Sequence, residues 1–232
     1  MTAPIAFPSV TTVAEGLPYL WNTETLWYSV STVMRTLFLD IASHDGLIAC
    51  VSDTEVLTYK EVHQRIGDHE LMPIIEKCVD DMSSLTHLAC VIGPGGFTSL
   101  RVAVSLMNTM SWALNIPSCG IHLSDLYAER VRMCDPSFLW LHSTKKSELF
   151  IRGFGDFAEK WPEPILVTLH EATHNIPKST LWCGELILEH QEILSHLCPL
   201  SHLESTVVVL PHFLSIQTYN EQILKPWYGR GW

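Results

Sequence analysis

Basic side chains are scarce in this sequence. Its 232 residues hold 14 Lys and Arg against 25 Asp and Glu, a formal net charge of −11. A protein that grips nucleic acid unaided needs a basic stripe to neutralise phosphates, so that class is disfavoured. Long hydrophobic runs are also missing. The richest stretch, Val102 to Ile116, is interrupted by Ser105, Asn108 and Ser111 and is too short and broken for a membrane span. Seven cysteines stand singly with no C-x-x-C pair, which excludes a disulfide framework or zinc ribbon and points to a reducing, cytoplasmic compartment. What is present is core material: 47% of residues are hydrophobic, enough to exclude global disorder.

The first 33 residues differ from the rest. They contain no Lys or Arg, carry Pro4, Pro8 and Pro18, and cluster Tyr19, Trp21, Trp27 and Tyr28. Neither the basic n-region nor the apolar h-region of a secretory signal is there. Residues 1–33 read as an extension, disordered or upstream of a functional start at Met34, with surface packing of the four aromatics as the other reading.

From Met34 onward, strand and helix periods alternate. Leu37–Ile41, Leu47–Val51 and Glu55–Tyr59 read as a strand meander. Leu71, Ile74, Ile75, Cys78, Val79 and Met82 fall on one face of a helix over 69–82. Leu88–Ile92 is an apolar run suited to the middle of a sheet covered on both faces. Gly93-Pro94-Gly95-Gly96 breaks it, and a helix over 97–115 follows. The second half repeats the order, with strands near Phe138–His142, Leu149–Gly153, Ile165–Leu169 and Leu181–Cys183 and a helix near Leu186–Leu197. This predicts an α/β protein of two ribonuclease-H-like, actin/Hsp70-like subdomains with mixed sheets. The expected divisions are 34–122 and 123–232, with the last helix crossing back onto the first subdomain.

Helix 97–115 bears no charge after Arg101 and has apolar residues on all sides. A helix packed on one sheet needs a single apolar stripe. The surplus is explained either by enclosure within its own domain or by a partner's helix.

Gly93-Pro94-Gly95-Gly96-Phe97-Thr98-Ser99-Leu100-Arg101 resembles the G-P-G-S-F-T-G-[LV]-R signature of the TsaB/YeaZ family, with Gly96 and Ser99 departing from it. Weaker similarities follow in the same order: Leu39-Asp40-Ile41-Ala42-Ser43, Asp68-His69-Glu70-Leu71-Met72-Pro73, Ser147-Glu148-Leu149-Phe150 and Pro226-Trp227-Tyr228-Gly229-Arg230. The resemblance implies an actin-like, glycoprotease-like pseudo-enzyme: a dimerisation subunit of the tRNA N6-threonylcarbamoyladenosine machinery, with no catalytic residue and no required cofactor. The paired metal-binding histidines of the catalytic sister subunit have no counterpart here. The partners it implies are a TsaD-type catalytic homologue, a TsaE-type ATPase in the assembly, tRNA held indirectly, and a second copy of the chain when alone. The pairing surface would be the outer faces of the two helices, with Met72, Ile75, Val79, Met82, Val102, Leu106, Met110 and Ala113 as contacts.

Two alternatives stay open. Asp40 and Ser43, with Gly93, Gly95, Gly96 and Thr98, would form an anion loop for ATP or ADP in an active nucleotide-binding enzyme, since a glycine turn opening a helix presents backbone N–H groups. No P-loop Lys-Ser/Thr follows, and a tight strand-to-helix connection explains the turn equally. His170-Glu171-Ala172-Thr173-His174 has the H-E-x-x-H form of a zinc metallopeptidase. Its third ligand would come from Glu185, Glu189 or His190, but Pro177 leaves little helix, so a solvated loop or single helical turn is the competing reading.

Overall fold

A computed structural model describes residues 33–63, 66–131 and 137–229. The chain divides into residues 1–32 and 33–232, and the expectation for the N-terminal extension lies outside the described residues.

The second unit opens with β1 (Arg35–Asp40), β2 (Gly46–Ser52) and β3 (Val56–Val62), followed by α1 (Asp68–Cys78), β4 (His87–Gly93), α2 (Phe97–Leu114), β5 (Ser118–His122) and α3 (Leu123–Arg130). The order then repeats in β6 (Phe138–Lys145), β7 (Glu148–Phe154), β8 (Ile165–Thr168), α4 (Leu169–Asn175), β9 (Leu181–Glu185), α5 (Leu188–Ile193), β10 (Cys198–Pro199) and α6 (Thr206–Ser215). The sheets run β3-β2-β1-β4-β5 and, in the matching order, β8-β7-β6-β9-β10. In each, the first three strands pair antiparallel and the last two join parallel. The two-lobed α/β expectation therefore holds at the level of strand order and sense.

Burial explains the layers. Leu37, Phe38 and Leu39 of β1 and Leu88 to Val91 of β4 are fully buried, as central strands covered on both faces require. On the outer face of the first sheet, α1 and α2 press Leu71, Ile75, Ala103, Val104 and Met107 onto Leu37, Leu39, Leu88 and Cys90. Each of the Leu, Ile, Val and Met side chains among them contributes about 1.5–3 kcal/mol of apolar burial. Between the sheets, α3 and α6 share a core with Phe38, Val91, Trp140 and Phe150, and α6 lies against β2 and β3. A third core, on the outer face of the second sheet, holds Leu139, Leu149, Ala172 and Leu194.

Three helix bounds correct the sequence expectation. α1 stops at Cys78 because Val79 is extended, and Asp81 then accepts from the Ser83 N–H to start a separate 3-10 turn, Met82–Ser84. Short polar side chains that bond nearby backbone compete with helix in this way. α1 also begins one residue earlier than expected, at Asp68, after Gly67, whose N–H donates to Glu70 at 2.9 Å. α2 ends one residue early, with Asn115 left-handed at φ 53°, a conformation asparagine tolerates. Six described cysteines (50, 78, 90, 119, 183, 198) are free. Among the described residues no helix is long and apolar enough to cross a membrane.

Candidate functional site

The end of β1 and the glycine turn after β4 meet. Asp40 is buried; one carboxylate oxygen accepts from the backbone N–H of Ala42 (3.0 Å) and Ser43 (3.1 Å), and the other from the Ser43 hydroxyl. Burial pushes its pKa up, opposed by these hydrogen bonds. The Gly96 N–H donates to the Ala42 carbonyl at 3.0 Å. A Cβ on Gly95 would lie 2.6 Å from that carbonyl oxygen, so the residue type follows from close backbone approach. Asp40, Ser43 and Gly95 thus knit two turns together, while Gly96 and Thr98 are exposed at the start of α2.

The other side of the glycine turn is covered by residues 220–229. Asn220 pairs with Ser118 through both backbone bonds, 2.8 and 3.1 Å. The Trp227 N–H donates to Ile92 at 2.7 Å, and the Trp227 carbonyl sits where a Cβ on Gly93 (φ 149°) would be 2.1 Å away. The Trp227 ring stands edge-on to His122 of β5 at 4.4 Å and 5.1 Å from Phe150 of β7. Tyr228 lies 4.9 Å from Phe97. One aromatic side chain therefore bridges both lobes beside the turn read from sequence as an anion loop.

A polar cluster that sequence reasoning did not assemble lies between the lobes. Glu185, at the end of β9, is 6% exposed. It accepts the backbone N–H of His44 (3.0 Å) and Asp45 (3.4 Å) and the Tyr127 hydroxyl (3.2 Å). His142 Nδ1 lies 3.4 Å from the same carboxylate. Burial drives His142 down to about 3 and His122 to about 4, so both rings are neutral near pH 7. It pushes Glu185 and Tyr127 up. No linear motif marks this cluster, because its members come from β2's approach, α3, β6 and β9.

The outer helical face is narrower than expected. Ile75, Val79 and Met110 belong to the lobe's own core; they pack the helices onto the sheet and present no surface. Met82 sits half-buried in the 3-10 turn beyond α1. Val102 and Leu106 are half-buried, while Met72 and Ala113 are exposed. Trp112, 84% exposed near the end of α2, joins this outward stripe. The signal for it was available: Trp112 falls on the stripe with Val102, Ser105 and Thr109, opposite the buried Leu100, Ala103, Val104 and Met107.

The H-E-x-x-H segment is a helix start. α4 spans seven residues, so it exceeds a loop or single turn. Thr168 caps it, accepting from the Glu171 N–H at 3.1 Å, while Glu171 accepts from the Thr168 N–H and hydroxyl, both 2.8 Å. This is a T-x-x-E capping box. His174 Nδ1 lies 2.8 Å from the His170 carbonyl. The proposed third ligands are engaged elsewhere: Glu185 between the lobes, Glu189 with Lys146 (2.7 Å), and His190 buried between Ser143 (2.8 Å) and the Lys146 carbonyl (3.0 Å). Among the described residues no group of three or more His, Cys, Asp or Glu is placed to hold a metal.

Two equivalent five-stranded mixed sheets, with helices α3 and α6 between them, define a double-lobed actin-like α/β protein. Its fold is shared by the crystal structure of an uncharacterized protein with similarity to peptidase YEAZ from Pseudomonas aeruginosa (15% identity, TM-score 0.63, 85% of this chain and 100% of that one). It is shared also by YeaZ from Pseudomonas aeruginosa (14%, TM-score 0.57, 78% and 92%). The family model for TsaD, tRNA N6-adenosine threonylcarbamoyltransferase, matches residues 58–164. A curated relative, the tRNA threonylcarbamoyladenosine biosynthesis protein TsaB of Bacillus subtilis (strain 168), is 22% identical over 126 residues, 53% of this chain. The match spans about half of that relative's length (52%). With the signature at Gly93–Arg101, these matches make the chain similar to proteins of the TsaB/YeaZ family.

Proposed function

We propose that this chain is a non-catalytic subunit in the biosynthesis of N6-threonylcarbamoyladenosine in tRNA. It pairs through the outer face of α1 and α2 with a larger TsaD-type homologue, which supplies metal, substrate binding and chemistry. What carries the reading is the outward stripe of α2, where Trp112 stands 84% exposed beyond the half-buried Val102 and Leu106. An aromatic of that exposure is the kind of anchor that protein interfaces enrich. The name of the Bacillus subtilis relative and the TsaD family model support the pathway. The net charge of −11 fits a subunit whose partner holds the tRNA. A TsaE-type ATPase completes the assembly in the cytoplasm, this chain needs no ATP or ADP of its own, and it pairs with itself when the homologue is absent. Trp227 and Glu185, set into the junction of the lobes, support a scaffold in which the two lobes stay closed.

The test is a reconstitution with tRNA, a threonylcarbamoyl donor and the TsaE-type ATPase. The chain alone yields no modified adenosine, the homologue alone yields little, and the mixture is active. Transfer by the chain alone, or a mixture no better than the homologue alone, contradicts the reading.

A further inference from the structure

Three of the four sheet edges are short or bridged. β10 has two residues and β8 has four, and Asn220 bridges the free side of β5 at Ser118 through two backbone bonds. β3 is different. It runs for seven residues at the end of the first sheet, and five in succession, 57–61, are exposed. It pairs with β2 on one side, and no strand among the described residues pairs with the other. Alternate backbone N–H and C=O groups of β3 therefore face outward, as a template for another strand. Native edges are commonly blunted by proline, charge or brevity. β3 has no proline, its charges Lys60 and Glu61 sit toward one end, and Leu57 and Tyr59 are 42% and 52% exposed.

A groove lies beside this edge. α1 packs on β2 and β3, and the Thr58 hydroxyl donates to the carbonyl of Cys78, the last residue of α1. Between strand and helix runs a groove of about 600 Å³, with Leu57, Tyr59 and Lys60 on one wall and Ile74 and Lys77 on the other. No acidic side chain lines it. Both lysines are exposed, and the Lys and Arg ion pairs of the described residues lie elsewhere, at Lys146 and Arg152. On a chain of net charge −11, this is an isolated basic strip with an apolar floor. Lys60 stands opposite Ile48 and so faces α1, while Tyr59 stands opposite Ala49 and faces the core between the sheets. Ile74 and Lys77 are on the flank of α1 next to β3. Met72 is on the other flank, so the groove is separate from the pairing face.

We infer that the groove between β3 and α1 binds an extended acidic peptide segment of another protein, which adds to the first sheet as a sixth strand. The peptide backbone takes up the outward N–H and C=O groups of β3. Because side chains alternate along a strand, every second one faces α1, where acidic groups meet Lys60 and Lys77. The others lie beside Tyr59, where apolar groups fit. A second copy of the chain is a poorer occupant, since it would bring two basic strips together on two chains that each carry −11. This goes beyond the pairing reading and does not depend on it.

The experiment titrates the full chain into a fluorescein-labelled peptide of alternating Val and Glu and follows anisotropy, with amide exchange of β3 as a second readout. The Val-Glu peptide is expected to bind saturably and to slow exchange along β3. An alternating Val-Lys peptide should bind at least about tenfold more weakly, and so should a Val-Glu peptide methylated at every backbone nitrogen. The double variant Lys60→Glu with Lys77→Glu changes two exposed side chains; it should melt as the unaltered chain does and prefer the Val-Lys peptide. Should it fail to fold, Lys60→Gln with Lys77→Gln removes the charges without reversing them and should abolish the preference for Val-Glu. Absence of binding up to about 1 mM peptide, or equal binding of the two charge types, overturns the proposal. Full affinity of the methylated peptide, or unchanged exchange in β3, overturns strand addition. Self-association of the chain that slows exchange along β3 and excludes the peptide assigns the edge to a second copy instead.

Discussion

Asn108 and Leu224 bond to each other twice. The Leu224 N–H donates to Asn108 Oδ1 at 2.8 Å, and Asn108 Nδ2 donates to the Leu224 carbonyl at 3.0 Å. The side-chain amide of an α2 residue thereby pairs with the closing segment as a neighbouring strand would, and aligns Trp227 three residues later. Asn108→Ala leaves the two half-buried backbone groups of Leu224 without these partners and is expected to cost about 1–2 kcal/mol. Asn108→Asp keeps the acceptor and loses the donor, so it should fall between. Urea unfolding of the three proteins checks the order; equal midpoints would show that the closing segment is not held here.

The glycine turn predicts opposite outcomes at adjacent positions. Gly95→Ala puts a methyl 2.6 Å from the Ala42 carbonyl and 2.8 Å from its Cβ, and should destabilise by about 1–3 kcal/mol through overpacking. Gly96 has an ordinary φ of −61° and nothing nearer its Cβ position than Ser99 Oγ at 3.5 Å. Gly96→Ser is therefore tolerated, and as an N-cap it should gain a few tenths of a kcal/mol. Thermal melts of both variants decide it.

His122 sets an acid limit. Its folded pKa, lowered by burial to about 4, lies below the ordinary 6.5. The unfolded chain therefore takes up the proton first as pH falls, and stability is lost from about pH 6.5 down to about pH 4. The loss amounts to about 3 kcal/mol for this group. His122→Asn retains an acceptor for the Ser124 N–H at the α3 cap but does not titrate. Relative to the unaltered chain, the variant should gain stability as pH falls through that window. A constant difference between pH 7 and pH 4 would refute the assignment.

The capping box makes Glu171 structural. Glu171→Ala and Thr168→Ala should each lower stability by about 0.5–2 kcal/mol, while His174→Ala should be nearly neutral. Metal analysis of the purified protein should find no zinc that depends on His174. Stoichiometric zinc lost on His174→Ala would revive the peptidase reading.

The lobes were legible in sequence because each strand carried its period. Leu88 to Val91 could only be a covered central strand, and the apolar spacing of α1 and α2 fixed their buried sides. α6 was hidden, since Val207-Val208-Val209 has strand propensity and Pro211 disfavours a helix interior; burial between the sheets overrides both. The bounds of α1 failed at Val79 because local bonding by Asp81 is not a periodic signal. At the site, the Gly93–Arg101 signature was visible and its packing role against Ala42 and Trp227 was not. Glu185 was visible only as a stray ligand for the H-E-x-x-H motif. Its real partners are two backbone amides 140 and 141 residues away, and backbone donors leave no trace in side-chain patterns.

The pairing claim is tested most directly by co-expressing the chain with its TsaD-type homologue and measuring the complex by size-exclusion chromatography. Trp112→Glu alters a side chain 84% exposed, so the variant should melt as the unaltered chain does. The unaltered chain is expected to elute with the homologue as a one-to-one pair, and Trp112→Glu to elute alone. Undiminished co-elution of Trp112→Glu, and of Leu106→Glu and Val102→Glu wherever those fold, would contradict the account.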